Sequence, residues 1–589
     1  MTDPEDVLAA RVHGALLAEL GEQYADADPL IRPSQFADYQ SNAAMPLAKR
    51  LGRPPREIAA AIAAALTGRA ELDGADLGGA GEDGPVAAAE VSGPGFVNIW
   101  LRDSWIARTA AGQLADPRIG VPLADPARRI VVDYSGPNVA KELHAGHLRP
   151  TVVGDAIVRV LEHLGHTVIR AAHLGDWGTQ FGMLIEHAVD IGEQATGEQL
   201  TAGEFTAFYQ AARSKFDGDA AFASRARQRV VQLQAGDEQA LRLWGMLVSD
   251  SMAYLREVYA RLSITLTDAD MDPESFYNPM LASMCAELAD KGIAVISDGA
   301  LCAFPPGFSG RDGRPVPLML RKSDGGYGYA STDMAAIRYR LLDLRASRII
   351  YVVGSEQQQH FEMIFAVAQE AGWLTSAASA EHAIIGLMTG PGGQRLRTRS
   401  GDQIKLISLV DEAVERAEVV IKDRYDDPEL RQQIAEPVGI GALKYGDLSV
   451  ARDSSYVLDF DRLLALTGNT GPYLQYATAR IRSIFHKGGL APAAMTGPIV
   501  LTEPAERALA LTVLGFGRAV ADVAVAAGPH KLAAFLFELA SAFTTFYEQC
   551  PMLSAEPAVR DSRLALAALT LRVLVTGLDL LGIPVPERM

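Results

Sequence analysis

Cysteine is nearly missing from this chain. Three occur in 589 residues, Cys285, Cys302 and Cys550, too far apart for a disulfide framework or a CxxC metal pattern, so a reducing compartment and no zinc site are expected. Basic charge is short as well: 54 Lys and Arg face 72 Asp and Glu, a formal net charge of −18, which taken alone disfavours a nucleic-acid partner. The opening MTDPEDVLAARVHGALLAEL puts acidic residues where a secretory signal needs basic ones and has no small-residue cleavage site. Long apolar runs are also lacking. The stretch around residues 508 to 540 is interrupted by Arg518, Asp522, His530 and Lys531, which predicts a packed helical pair and no membrane partner. These absences together predict a cytoplasmic protein.

What the chain does hold is 49% hydrophobic and 21% charged residues, the balance of a globular protein with several cores, about three or four domains at this length. Val7, Leu8, Val12, Leu16, Leu17 and Leu20 recur at helical spacing over residues 6 to 21, and a second helix follows Pro55. Between them AKRLGRPPRE gathers Lys49, Arg50, Arg53 and Arg56, read either as a solvated helix end or as a phosphate contact. Residues 73 to 85 are too rich in Gly and Asp to bury a face and predict a mobile loop, whereas Gly95 to Leu101 reads as a strand. ADPRIGVPLADP, near residue 120, reads as a linker.

After it the pattern becomes strand, helix, strand. Ile130 to Tyr134 is a short apolar run, a helix covers about 146 to 164 with Ile157, Val160, Leu161 and Leu164 on one face, and Thr167 to Ala171 is the second strand. Such a βαβ unit places a nucleotide at the carboxyl end of its first strand. Ala294 to Ile296, Arg348 to Val353 and Ala383 to Leu387 are expected to add strands to the same parallel sheet. From about residue 404 the spacing is helical almost to the end, through Leu406 to Val420, Pro504 to Val525, Leu532 to Tyr547 and Arg560 to Leu581, predicting an all-α bundle.

The strongest local signal is KELHAGHLRP, residues 141 to 150, between that first strand and the helix. His144 and His147 stand three apart at a helix N-terminus, where free amides and the helix dipole already favour phosphate. Gly146 between them lets a base or ribose approach the backbone. A metal would need a third ligand and a neighbouring general base, and the spacing offers neither.

SGPNVAKELHAGHLRP followed by HLGDWGTQFGMLI (173 to 185) resembles the ATP-binding signature of class I aminoacyl-tRNA synthetases, in the form of the arginyl-tRNA synthetases. DYQSNAAMPLAK (38 to 49), GPGFVNIWL (93 to 101), RLRTRSGD (395 to 402), GNTGPYLQYATARIRSI (468 to 484), FYEQCPML (546 to 553) and the ending LDLLGIPVPERM resemble further blocks of that family, in family order. The resemblance implies an enzyme that joins L-arginine to ATP as an adenylate and passes it to the terminal adenosine of tRNA(Arg), with Mg2+ accompanying ATP and no structural metal. It implies a monomer.

Charge developing on the phosphates has to be neutralised during such a transfer. The resemblance gives that task to Lys141, His144, His147, Arg397 and Arg399, and maps ATP contacts onto His144, Gly146, His147, Gly175, Asp176 and Thr398. Arg395-Leu396-Arg397-Thr398-Arg399 stands where class I enzymes carry KMSKS, with Thr398 in place of the expected lysine and Lys141 as the family's substitute. Pro150 and Val450-Ala451 also depart from the family pattern. A guanidinium with five donors is best met by fixed carboxylates. The resemblance places Glu274, Tyr329 and Asp333 there, and maps contacts to the substrate's amino and carboxylate groups onto Ser135, Asn138 and Gln357, with Asp133 close by.

For tRNA, Tyr473, Tyr476 and Arg480 interleave aromatic and basic side chains, which suits unstacked bases, although helical spacing fits core packing of the tyrosines equally well. Gln475, Lys49 and Arg50 complete the candidate tRNA contacts. The expected architecture is multidomain α/β plus all-α: a small N-terminal α/β tRNA-binding module over 1–120, a Rossmann-like parallel-sheet catalytic domain with insertions over 121–450, and a helical-bundle anticodon-binding domain over 451–589. Net charge then loses its force against RNA, because a tRNA meets only the local basic segments at 49 to 56, 395 to 405 and 480 to 487.

Overall fold

A computed structural model describes residues 3–68, 84–139, 141–201, 205–394, 396 and 404–589. Most of the loop expected over 73–85, and Arg395, Arg397, Thr398, Arg399 and Gly401, lie outside the described residues.

The strand Arg129–Asp133 is central because its apolar side chains, Ile130, Val131 and Val132, are buried on both faces of the sheet. It pairs in parallel with Arg348–Tyr351 on one side and Thr167–Leu174 on the other, and the outer strands are Ser379–His382 and Met271–Pro273. The helix Leu148–His163 crosses from the first strand to the second and buries Val152, Ala156, Ile157, Val160 and Leu161. Gly154 allows its close approach: a β-carbon there would lie 2.3 Å from Cβ of Tyr134, directly after the strand.

One of the expected strands goes elsewhere and another is shifted along the chain. Ala294–Ser297 joins a separate antiparallel sheet with Ala300–Ala303 and Leu318–Arg321. Asp298 and Gly299 between the first two both have positive φ, 47° and 80°, and such a turn reverses the chain instead of sending it across the parallel sheet. The other strand begins earlier, as Ser379–His382, and the apolar run stays beside the same neighbour as far as Ile385, with Ala383 donating to Tyr351 at 2.8 Å, Ile385 donating to Val353 at 2.9 Å and Ile385 bridging Gly354 in parallel, before it leaves the sheet. There the Gly386 amide donates to the Arg452 carbonyl at 2.7 Å, and Tyr456 donates to Leu387 at 3.1 Å.

Ahead of the sheet, the helices Pro4–Leu20, Ala44–Leu51 and Pro55–Gly68 accompany an antiparallel sheet of order Ile31–Pro33, Tyr39–Ser41, Phe96–Leu101, Val86–Ser92. After it come Leu406–Ile421, Pro428–Leu448, Gly471–Gly488, Pro504–Leu514, Phe516–Ala526, His530–Gln549 and Pro557–Leu580. Residues 504–526 are long and apolar enough to cross a membrane by length and composition. Gly515 nevertheless divides them into two helices of 11 residues, each short of the roughly 20 that a span needs. The N-terminal part packs here: Arg507 grips Asp38 through two bonds of 2.8 Å and Asp103 at 2.6 Å, and Gln113 donates to the Val513 carbonyl at 3.1 Å.

Sheet and bundle are joined by a buried ion pair. Arg149, on the helix that crosses the sheet, donates from Nε to Asp447 on Pro428–Leu448 at 2.8 Å, donates from Nη1 to the Ser454 carbonyl at 2.7 Å, and lies 5.1 Å from the Tyr456 ring centroid. Both side chains are at most 1% exposed. Burial pushes the Asp447 carboxyl up to about 6 against the pull of Arg149, so the pair is ionised at neutral pH. Removing one partner strands the other charge. Asp447→Ala should therefore destabilise the fold by about 3–5 kcal/mol, read as a lowered urea midpoint; an unchanged midpoint would contradict this account.

Candidate active site

The loop after Asp133 has no regular structure of its own, and its shape comes from tertiary ties. Ser135 sits at φ 71°, unusual for a residue with a side chain, and Gly136 at φ 48°. Ser135 Oγ lies 2.7 Å from the Tyr259 hydroxyl and accepts from Thr151 Oγ1 at 3.0 Å, which fixes the turn. Asn138 and Gly175 form a parallel bridge in which Val139 donates to Gly175 at 3.0 Å, joining this loop to the one that follows Thr167–Leu174. Beside Asn138 and Lys141 lies a cavity of about 300 Å³, walled by Leu200, Phe205, Tyr254 and Leu255.

HAGH itself forms a short 3-10 turn, Ala145–His147, that leads into Leu148–His163. His144 Nδ1 accepts from the Gly146 amide at 3.1 Å, and His147 Nδ1 accepts from the His144 amide at 3.1 Å. Burial, reinforced by Lys141, lowers His144 to about 4; burial, then His144, lowers His147 to about 3. Both rings are thus neutral at pH 7. A ring nitrogen that accepts an amide proton carries none, so each proton sits on Nε2. The motif therefore offers two neutral N–H donors, 4.0 Å apart by ring centroid, in place of two positive charges. Proton donors suit phosphate oxygens and do not suit a cation.

The backbone from Ile404 onward meets this motif. Ala145 donates to the Ile404 carbonyl at 2.8 Å, Leu406 donates to Leu143 at 2.8 Å, and Lys405 Nζ lies 2.8 Å from Glu142.

A cluster of carboxylates surrounds His173 at the carboxyl edge of the sheet. Asp333, one turn into Tyr329–Leu342, accepts from or shares a proton with His360 Nε2 at 2.7 Å and lies 3.6 Å from His173 Nε2. Burial, offset in part by His173 and reinforced by Asp333 and Asp176, raises Glu274 to about 7. Tyr329 is 70% exposed, its ring 5.2 Å from His360. Gln357 and Asn138 are exposed on the loops around this edge.

Three stretches match known families in order: residues 6–101 the arginyl tRNA synthetase N-terminal domain, 114–460 the class I (R) tRNA synthetase catalytic domain, and 474–589 the DALR anticodon-binding domain. The chain belongs to the arginyl-tRNA synthetases. An arginine–tRNA ligase of Thermobifida fusca is 56% identical over the whole of both chains, and one of Synechococcus elongatus is 45% identical over the whole of both. The arginyl-tRNA synthetase of Plasmodium falciparum superposes with a TM-score of 0.84 over 99% of each chain at 28% identity. The enzyme activates arginine with ATP and charges tRNA with it.

Within the synthetase, several residues expected to touch ligands are engaged by the protein. Asp133 is 5% exposed and accepts from Arg340 at 2.7 Å, so it supports the pocket from below. Asp176, 1% exposed, accepts from the Ser275 amide at 3.0 Å and hydroxyl at 2.5 Å, which positions the segment that carries Glu274. Gln475 is a correction. It is 0% exposed and donates to the carbonyls of Pro437 at 2.8 Å and Pro584 at 2.7 Å, tying three parts of the bundle together where no RNA reaches. Tyr473 also packs inward, with its hydroxyl 3.1 Å from Thr544 Oγ1 and its ring edge-on to Phe537.

Tyr476 and Arg480 remain at the surface, where the tyrosine ring lies between Arg480 at 4.9 Å and Arg424 at 5.4 Å, and Arg480 also covers Tyr547 at 5.1 Å. Lys49 and Arg50 are exposed on the N-terminal part, Arg50 pairing with Asp26 at 3.3 Å. Three neighbours of these residues were not singled out from the sequence: His173, within the quoted HLGDWG block, His360 and Arg424. Nothing in their spacing marks them, since each meets its partners from a different element.

Gly146→Ala tests the turn. A β-carbon there would sit 2.9 Å from Cε1 of His144 and displace the ring, so the KM for ATP should rise by about 10-fold or more while the free energy of unfolding stays within about 0.5 kcal/mol. An unchanged KM would detach His144 from the nucleotide.

Proposed function

We propose that the enzyme works in two steps, arginine attacking the α-phosphate of ATP and the adenylate then passing arginine to the terminal ribose of tRNA(Arg). The observation that carries this reading is the pairing of two Nε2–H donors, at the mouth of a helix, with a carboxylate pocket beyond the same strand ends. His144, Gly146 and His147 take the triphosphate, with Lys141 adding the charge that Thr398 does not, and Arg397 and Arg399 adding theirs. Donors preplaced where charge develops lower the barrier without reorganising. Mg2+ travels with the nucleotide and screens its phosphates.

Glu274 and Asp333 take the guanidinium, Tyr329 covers it, and Ser135, Asn138 and Gln357 orient the amino-acid end. Both carboxyls are poorly solvated in the empty pocket, so a delocalised cation is the ligand that relieves them. Tyr476, Arg480, Lys49 and Arg50 contact the tRNA. The domains divide as 1–120, 121–450 and 451–589, and the enzyme acts as a cytoplasmic monomer; its three free, buried cysteines agree with a reducing compartment.

Pyrophosphate exchange into ATP should require arginine and depend on cognate tRNA; exchange driven by another amino acid would overturn the substrate assignment. His144→Ala and His147→Ala should each lower kcat by about 10²–10³-fold, as loss of one charge-stabilising donor does elsewhere. Asp333→Asn should raise the KM for arginine by at least about 10-fold, since it converts a charge-assisted contact to a neutral one. A shift in kcat alone would place Asp333 outside the ground-state pocket.

A further inference from the structure

Among the groups left without a task, His173 stands out. Its two ring nitrogens are shut off from solvent and have no hydrogen-bond partner, although the ring lies on Thr167–Leu174 among acidic side chains from every neighbouring element. Asp133 faces it from the central strand, Asp272 from the outer strand, Asp333 from the helix Tyr329–Leu342, and Glu274 and Asp176 from the loops above. One permanent cation, Arg340, opposes them, and it is already held by Asp133 at 2.7 Å and Asp272 at 2.6 Å. Tyr277, whose ring stacks at 6.1 Å, gives its hydroxyl proton to Asp272. Asp333 and Glu274 are therefore left with histidines as their nearby source of positive charge, His360 for the outer oxygen of Asp333 and His173 for the inner one.

Resting on the arginine-pocket reading above, we propose that His173 is a positioning residue that holds a proton in the empty pocket and releases it when the guanidinium of arginine pairs with Asp333 and Glu274. The charge balance is one cation in and one proton out. The guanidinium brings +1 to the carboxylates, the proton leaves a His173 ring nitrogen for bulk water, and the neutral ring then no longer repels the substrate. In the empty enzyme the neighbouring carboxylates already hold His173 above its ordinary range in spite of burial, Asp333 contributing most among them. Arginine reverses that field. Because the empty form binds the extra proton, affinity rises with pH across the window between the two midpoints, and the dependence ends below both.

Arginine binding to the full-length enzyme, followed by calorimetry at pH 7 in buffers of different ionisation enthalpy, counts the protons released. A net release is expected, together with a dissociation constant that rises by up to about tenfold for each pH unit lowered within the window. In His173→Gln the release should fall by half or more, and the pH dependence of the KM for arginine should flatten in the same proportion while kcat keeps its profile. A purely structural role would not flatten KM in this way. Release that survives unchanged in His173→Gln would assign the proton to Glu274 and overturn the proposal.

Carbon-13 labelling of histidine Cε1 in the wild-type enzyme gives a reading that needs no variant. One histidine signal should move from the imidazolium to the imidazole position on saturation with arginine, and no such signal would equally overturn the proposal. Binding without proton release removes only the coupling, whereas absence of both arginine heat and arginine-dependent exchange removes the pocket reading itself.

Discussion

Arg340 is 1% exposed at the carboxyl edge of the parallel sheet, where Asp133 from the central strand and Asp272 from the outer strand share its guanidinium and the Tyr351 ring covers it at 5.4 Å. A charge so placed is tolerated only because its donors are met on both sides. That requirement fixes the helix Tyr329–Leu342 relative to two strands, and with it Tyr329 and Asp333 at the helix start. The helix start that carries Tyr329 and Asp333 is thus set by an internal guanidinium, which is itself satisfied by Asp133 and Asp272.

The nucleotide side obeys a different constraint. HAGH is a turn of three residues held by two side-chain-to-backbone bonds, and alone it would have little persistence. It gains rigidity from behind, through Arg149 and Asp447, and from the front, through the bridge between His144 and Lys405. The helix that carries the turn is consequently continuous in packing with the bundle, and the N-terminal part is clamped to the same bundle by Arg507. The N-terminal part and the HAGH turn are therefore both tied to the bundle by side-chain ion pairs, the one at Arg149 buried and the one at Arg507 partly exposed.

Much of this could be read in the residues. The βαβ unit appears with boundaries within a few residues of those expected, because Ile130 to Val132 and the helix face of Ile157, Val160 and Leu161 are buried as their periodicity requires. Ala294 to Ile296 was legible as a strand and illegible as to its sheet, since an apolar run does not name its partner and only the Asp298–Gly299 turn decides it. Gln475 shows the opposite limit. Nothing in the spacing selected this helix residue as a base contact, and Pro437 and Pro584, distant in the chain, take its amide nitrogen.

The sequence by itself determined the reaction through its resemblance to the arginyl-tRNA synthetases, because the order of the quoted blocks along the chain marks the family where no single spacing does. Tertiary structure alone decided the protonation and the allegiance of each polar group. Whether His144 donates or carries charge, whether Asp133 faces the substrate or Arg340, and which carboxylates crowd His173 all turn on burial and on neighbours from other elements, and electrostatic energy in a poorly solvated interior is set by distance in space.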